Sequence, residues 1–194
     1  MDPFRLLTRA FEEAQGKGDA GDSDGEIHRN RSRNLVDSLA RGFQGYYRKI
    51  VPGVQVFWSG NDTHQSEFNL KELLFDIAVC EVDETPSATG RALLPYVKST
   101  LWIVESEFER DSRSAIVDMS KLVMGRSENA LFIAPTVGPK QGYLDMLAKV
   151  AVRCDCNLYL ALIGHPSTWK SSPSIPEEYV WATNEWRPAG RSAP

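Results

Sequence analysis

Apolar positions along this chain follow two periods. Phe4, Leu7 and Phe11 recur at helical spacing, so Asp2 to Ala14 is expected to be a short helix. Leu35, Leu39, Phe43 and Tyr46 or Tyr47 recur at i, i+4 and i+8 and predict a helix over Arg33 to Ile50, ended by Pro52-Gly53. Between them, Gly16 to Gly25 is rich in Gly and Asp, has no periodic apolar pattern and reads as a flexible linker. Val54 to Trp58 reads as a strand, followed by turn chemistry at Gly60-Asn61-Asp62. Phe68 to Val82 reads as a long strand or a helix-to-strand passage, with Leu73 to Val82 as its surer part.

Asp83 to Gly90 is polar, contains Pro and is expected as a loop before a strand over Leu101 to Phe108. Asp111 or Ser112 can cap a helix running to about Met124, with Ile116, Met119, Leu122 and Val123 on one face and Gly125 as its stop. Ala130 to Ala134 and Leu158 to Ile163 are continuous apolar strands flanking an amphipathic helix over Gln141 to Val152. Gly164-His165-Pro166 breaks the last strand, and Trp169, Tyr179, Trp181 and Trp186 follow in a Pro-containing arm expected to pack in part on the domain. The order is helix, three strands, helix, strand, helix, strand. It predicts an α/β fold with a mixed central sheet flanked by helices. The expected divisions are an N-terminal helix and linker over 1–25, a core domain over 26–165 and the arm over 166–194.

The 194 residues suit one domain with a sizeable core, and 42% hydrophobic with 25% charged residues is ordinary for a globular protein. No apolar run approaches the ~20 residues of a membrane span, and Met1 to Arg5 carries no signal-peptide core. The expectation is a cytoplasmic protein with no membrane partner. Three cysteines argue against a disulfide framework; Cys80 reads as a core residue, and Cys154-Asp155-Cys156 lacks the second pair that a zinc site needs. The net charge of −4 weakens a nucleic-acid reading, although an acidic site would itself contribute to the sum. His28-Arg29-Asn30-Arg31-Ser32-Arg33 is the clearest basic cluster, followed by Arg41, Arg48 and Lys49. It fits a solvated helix start and phosphate contact equally well.

The candidate chemistry lies in two strands. Asp76 interrupts the apolar run Leu73 to Val79, and Glu105-Ser106-Glu107 ends the run Ser99 to Val104. Carboxylates in a buried sheet are costly unless something neutralises them, and a divalent cation at a hydrolytic site does so. Strand alternation puts Glu105 and Glu107 on one face and Ser106 on the other, and Glu72 on the face of Asp76. If the two strands pair, Asp76 and Glu105 converge on one cation, for which magnesium with its retained waters is suited.

An Asp in the second strand, here Phe75-Asp76, and Glu105-Ser106-Glu107 in the third, within this element order, resemble the PD-(D/E)XK nuclease superfamily over roughly Arg33 to Gly164. The resemblance implies the restriction-endonuclease-like fold and a nuclease that hydrolyses phosphodiester bonds in DNA with Mg2+ or Mn2+. It implies metal ligation by Asp76 and Glu105, with Glu72 as an added carboxylate and Glu67 as the acid drawn from an early helix. Such enzymes often act as dimers, so a homodimer is expected too. Glu107 stands where the family usually has Lys. The resemblance therefore implies that Glu107, or Lys121 from the following helix, positions or deprotonates the attacking water. The competing reading is an inactive nuclease-fold module that binds nucleic acid or protein, favoured by Glu107 and the acidic balance. A nucleotide hydrolase lacks its phosphate loop, because Gly16-Lys17-Gly18 is too short.

Overall fold

The computed structural model describes residues 1–16, 23–109, 111–171 and 175–190. Residues 17–22, which carry most of the expected linker, lie outside them. Two helices lead: α1 (Pro3–Gln15) and α2 (Asp24–Tyr47). Asp2 caps α1 by accepting the Phe4 N–H at 3.0 Å, with Pro3 at the first helical position. α2 begins nine residues before the expected Arg33. Ser23 and Glu26 form a reciprocal capping box, with Ser23 N donating to Glu26 Oε2 at 2.9 Å, so the end of the Gly/Asp-rich stretch starts a helix.

A seven-stranded sheet follows, with its strands side by side in chain order. β1 (Val54–Phe57), β2 (Ile77–Pro86) and β3 (Leu93–Ser106) form an antiparallel meander. β3, β4 (Asn129–Pro135) and β5 (Asn157–Ile163) are parallel and are joined by α4 (Ser112–Met124) and α5 (Lys140–Ala151). A six-residue helix, α3 (Asp62–Glu67), intervenes between β1 and β2 where no helix was expected. It has no periodic apolar face. Its buried His64 is held by Asn61 and Gln55 at 3.0 and 3.1 Å, and burial lowers the imidazole pKa. The expected strand over Leu73 to Val82 begins only at Ile77. It continues to Pro86, so part of the expected loop is paired strand.

The expected arm joins the sheet. β6 (Glu177–Ala182) pairs antiparallel with β5, and β7 (Glu185–Pro188) pairs with β6. Trp169 is fully buried, its ring centroid 4.9 Å from Phe11 and 6.0 Å from Phe108. The divisions expected at 25 and 165 therefore do not separate independent cores, because α1 and Trp169 pack in the same cluster as Leu35, Leu39 and Phe43.

That cluster covers one face of the sheet through Trp102, Val104, Leu131 and Ile133. The opposite face, with Ile103, Ala130, Phe132 and Leu160, packs on Met119 and Leu122 of α4 and Leu147 of α5. Covering on both faces is what makes β4 and β5 continuous apolar runs. On α4 the inward residues are Ala115, Met119 and Leu122, whereas Val123, expected inward, is exposed. No helix among the described residues is long and apolar enough to cross a membrane.

The β6–β7 hairpin turns through Thr183 and Asn184, with φ of 51° and 61°. Two left-handed residues between paired Ala182 and Glu185 suit a right-twisted hairpin, but a β-branched Thr is strained there. Thr183→Asn is expected to stabilise the protein by about 1 kcal/mol in urea denaturation. An unchanged or lower midpoint would remove the strain argument.

Candidate active site

The register of the meander places the two acids together. Ile77 pairs with Val104, so Asp76 stands just before the first paired residue of β2, level with Glu105. Asp76 is thus in the bend that enters the strand rather than inside it. Ser106 fixes its carboxylate: backbone N and Oγ both donate to Asp76 Oδ2, at 2.9 and 2.5 Å. Burial raises the Asp76 pKa, and the two Ser106 bonds work against that rise. Phe75 packs across Gly125, the residue that ends α4. A side chain at Gly125 would meet Phe75 and Ile103, so this close approach seats the bend that carries Asp76.

Glu105 extends from the α4 side of β3 and is 1% exposed. Its Oε2 accepts from Lys121 Nζ at 3.0 Å, and its Oε1 has no hydrogen-bond partner. Burial and the neighbouring Asp76 charge push its pKa from 4.5 to about 7 against the pull of Lys121. Lys121 also meets Asp118, one turn earlier on α4, at 2.7 Å. Partial burial opposes its charge, but the bonds to Asp118 and Glu105 outweigh that and hold its pKa above the ordinary lysine range.

Glu107 lies one residue past the end of β3, where its N–H continues the ladder by donating to the Ile133 carbonyl at 2.9 Å. Its Oε1 accepts from Glu109 N at 2.6 Å. Burial raises its pKa, the backbone bond from Glu109 opposes the rise, and the adjoining Asp118 carboxylate adds to it. The group is a chain: Asp76 beside Glu105, Glu105 to Lys121, Lys121 to Asp118, Asp118 beside Glu107. On the other side of Asp76 a cleft of about 680 Å³ opens, lined by Asp76, Ser106 and Glu107, by Trp58 after β1, and by His28, Arg33 and Asp37 of α2.

Four of the five expected site residues, Asp76, Glu105, Glu107 and Lys121, therefore meet. Glu72 does not: it is exposed in a segment without strand structure, and no hydrogen bond or ion pair among the described residues ties it to Asp76 or Glu105. Its expected place on the face of Asp76 required a strand that starts too late. Glu67 is exposed and lines a separate cavity with Phe57, Phe68 and Leu94. Ser106, Asp118 and Gly125 were not expected as site residues. Alternation does point Ser106 away from Glu105, but only the antiparallel pairing puts Asp76 there to receive its bonds. Asp118 lies three residues before Lys121 on α4, a spacing at which helix side chains pair.

Among the described residues, no group of three or more His, Cys, Asp or Glu is arranged to hold a metal ion. Asp76 and Glu105 stand level across the β2–β3 register and their charges interact, and among the described residues the unpartnered Oε1 of Glu105 is the kind of buried oxygen that a hard cation satisfies. Two carboxylates with retained waters is a donor set that magnesium commonly takes. Cys80, Cys154 and Cys156 are free thiols; burial pushes Cys80 up to about 11 and Cys154 up to about 12. Comparisons with family models, curated proteins and solved structures found no match.

The pKa of Glu105 gives a signed pH dependence. Unfolded Glu105 titrates near its ordinary 4.5 and folded Glu105 at about 7, so the folded state binds more protons between them. That contribution to stability is full below about 4.5 and lost as pH rises through about 7. Glu105→Gln stays neutral, so in chelator-containing buffer it is expected to be more stable than wild type above pH 7, with the gap closing toward pH 4.5. Equal stabilities across that range would contradict the buried-charge assignment. Separately, a Cβ at Gly125 would come within 2.6 Å of Phe75 Cζ and 2.7 Å of Ile103 Cδ1. Gly125→Ala is therefore expected to cost roughly 1–3 kcal/mol in urea denaturation, and no loss would mean that Phe75 does not hold this seat.

Proposed function

We propose that the protein is a metal-dependent nuclease of the restriction-endonuclease-like class, hydrolysing phosphodiester bonds in DNA with Mg2+ or Mn2+. One observation carries the reading. Asp76, in the bend that enters β2, and Glu105, on β3, stand level at one end of the sheet, and among the described residues a buried Glu105 oxygen is left without a partner. The element order α2-β1-α3-β2-β3-α4-β4, antiparallel through β3 and parallel from β3 to β4, supports the class.

In this reading Asp76 and Glu105 would hold the cation, which would supply Lewis-acid activation of the phosphoryl group and of water. Ser106 locks the orientation of the Asp76 carboxylate through its two bonds. Lys121 takes the place of the usual strand lysine. Its ammonium, fixed by Glu105 and Asp118, remains charged and stabilises negative charge at the phosphate. A lysine ion-paired to two carboxylates does not serve as the base, and Glu107, lining the cleft beside Asp76, orients the attacking water. Among the described residues no group of three or more such ligands is arranged to hold a metal, which favours the second reading, a nuclease-fold module that binds without turnover.

Purified protein with Mg2+ or Mn2+ is expected to cleave plasmid DNA. Asp76→Asn and Glu105→Gln should bring cleavage to background, and Lys121→Ala should reduce it roughly 100-fold or more. Wild type that neither cleaves DNA with either metal nor shows heat of metal binding in calorimetry would sink the nuclease reading and leave the binding module.

A further inference from the structure

The basic stretch that opens α2 divides in the fold. Arg31 is 3% exposed and donates Nη1 to the Pro166 carbonyl, so its charge ties α2 to the segment after β5. Arg33 is exposed and lines the 680 Å³ cleft shared with Asp76, Ser106 and Glu107. No carboxylate among the described residues pairs with it. The other cleft charge on α2, Asp37, is already engaged: Arg41 meets it at 2.8 Å and Trp58 Nε1 donates to it at 2.8 Å. Arg33 is thus the fixed positive charge of a cleft whose opposite wall is acidic. His28, one turn and a half earlier, lines the same cleft with its ring held against His165 at a centroid distance of 4.7 Å. Asn34 adds an amide to this wall.

Lys121 does not line this recess, so Arg33 is the lining cation that a phosphodiester strand entering it would meet. We propose that the cleft wall of α2 binds the sugar-phosphate backbone of the substrate strand beside the scissile position, with Arg33 making the ionic contact to a phosphate and His28 and Asn34 contributing hydrogen bonds. Guanidinium suits this contact, since it can engage two phosphate oxygens at once. The proposal rests on the nuclease reading for the identity of the strand. It goes beyond that reading in assigning the path the strand takes across the fold.

The test separates binding from cleavage. A fluorescently labelled DNA duplex is titrated with the full chain in chelator-containing buffer at several salt concentrations, with anisotropy as the readout. Arg33→Ala is expected to weaken binding roughly tenfold at low salt and to reduce the slope of log Kd against log salt by about one. Arg33→Lys should keep the slope. Arg48→Ala, which removes the same charge roughly 20 Å along the helix axis, should change neither quantity. Unchanged melting temperatures show that the variants are folded. The proposal is overturned if Arg33→Ala binds like wild type, if Arg48→Ala weakens binding as much, or if wild type shows no salt-dependent DNA binding. Binding that depends on Arg33 without any cleavage by wild type would defeat the nuclease reading and leave the strand path standing. Cleavage with Arg33→Ala indistinguishable from wild type in binding would do the reverse.

Discussion

A carboxylate buried at the end of a strand governs the arrangement around it. Glu105 is closed off between the sheet and α4, and a charge so placed is tolerated only with compensation. Lys121 satisfies one of its oxygens, and among the described residues no group satisfies the other. Much of the neighbourhood follows from that half-met demand. Lys121 must come from the inner turn of α4, Asp118 must share its ammonium, and α4 must pack against β3 closely enough for a three-ångström bond. Gly125 permits that packing where the helix ends, because no side chain separates it from Phe75 and Ile103.

The sheet supplies the second half of the site by register. Antiparallel pairing of β2 with β3 carries Asp76 to the residue beside Glu105, and Ser106, pointing the other way from Glu105, captures it. The two acids therefore lie at the junction of two layers. Glu105 belongs to the α4 side and Asp76 opens on the α2 side, where the cleft begins. A carboxylate buried this way costs stability once it ionises, and Lys121 offsets part of that cost.

The element order was legible because its signals are local. Phe4, Leu7 and Phe11, the run Ala130 to Ala134, and the Asp111 cap each announce one element within a few residues. Misplacements came where two signals competed. The capping box at Ser23 and Glu26 sits inside a Gly- and Asp-rich stretch, and composition hid the helix start. Residues Leu73 to Asp76 are as apolar as a strand, yet they form a bend, because Phe75 is drawn onto Gly125 instead of into a ladder. Glu72 lost its place in the site for the same reason. The C-terminal Trp-rich segment looked like an arm because its prolines obscured two short strands, of which β6 pairs with the edge of β5 and β7 with β6.

By itself the sequence determined the residue types around the site and the order of the elements from β3 to β5, since these are written in contiguous residues. Which acids meet was decided only by tertiary structure. Proximity between Asp76, Glu105 and Lys121 depends on strand register, the closeness of α4 and a bend fixed by one glycine, and these arise from packing between segments that carry no local record of one another. The division of the α2 basic cluster has the same origin: Arg31 and Arg33 are two residues apart in the chain, and helical rotation against a packed neighbour buried one and left the other in the cleft.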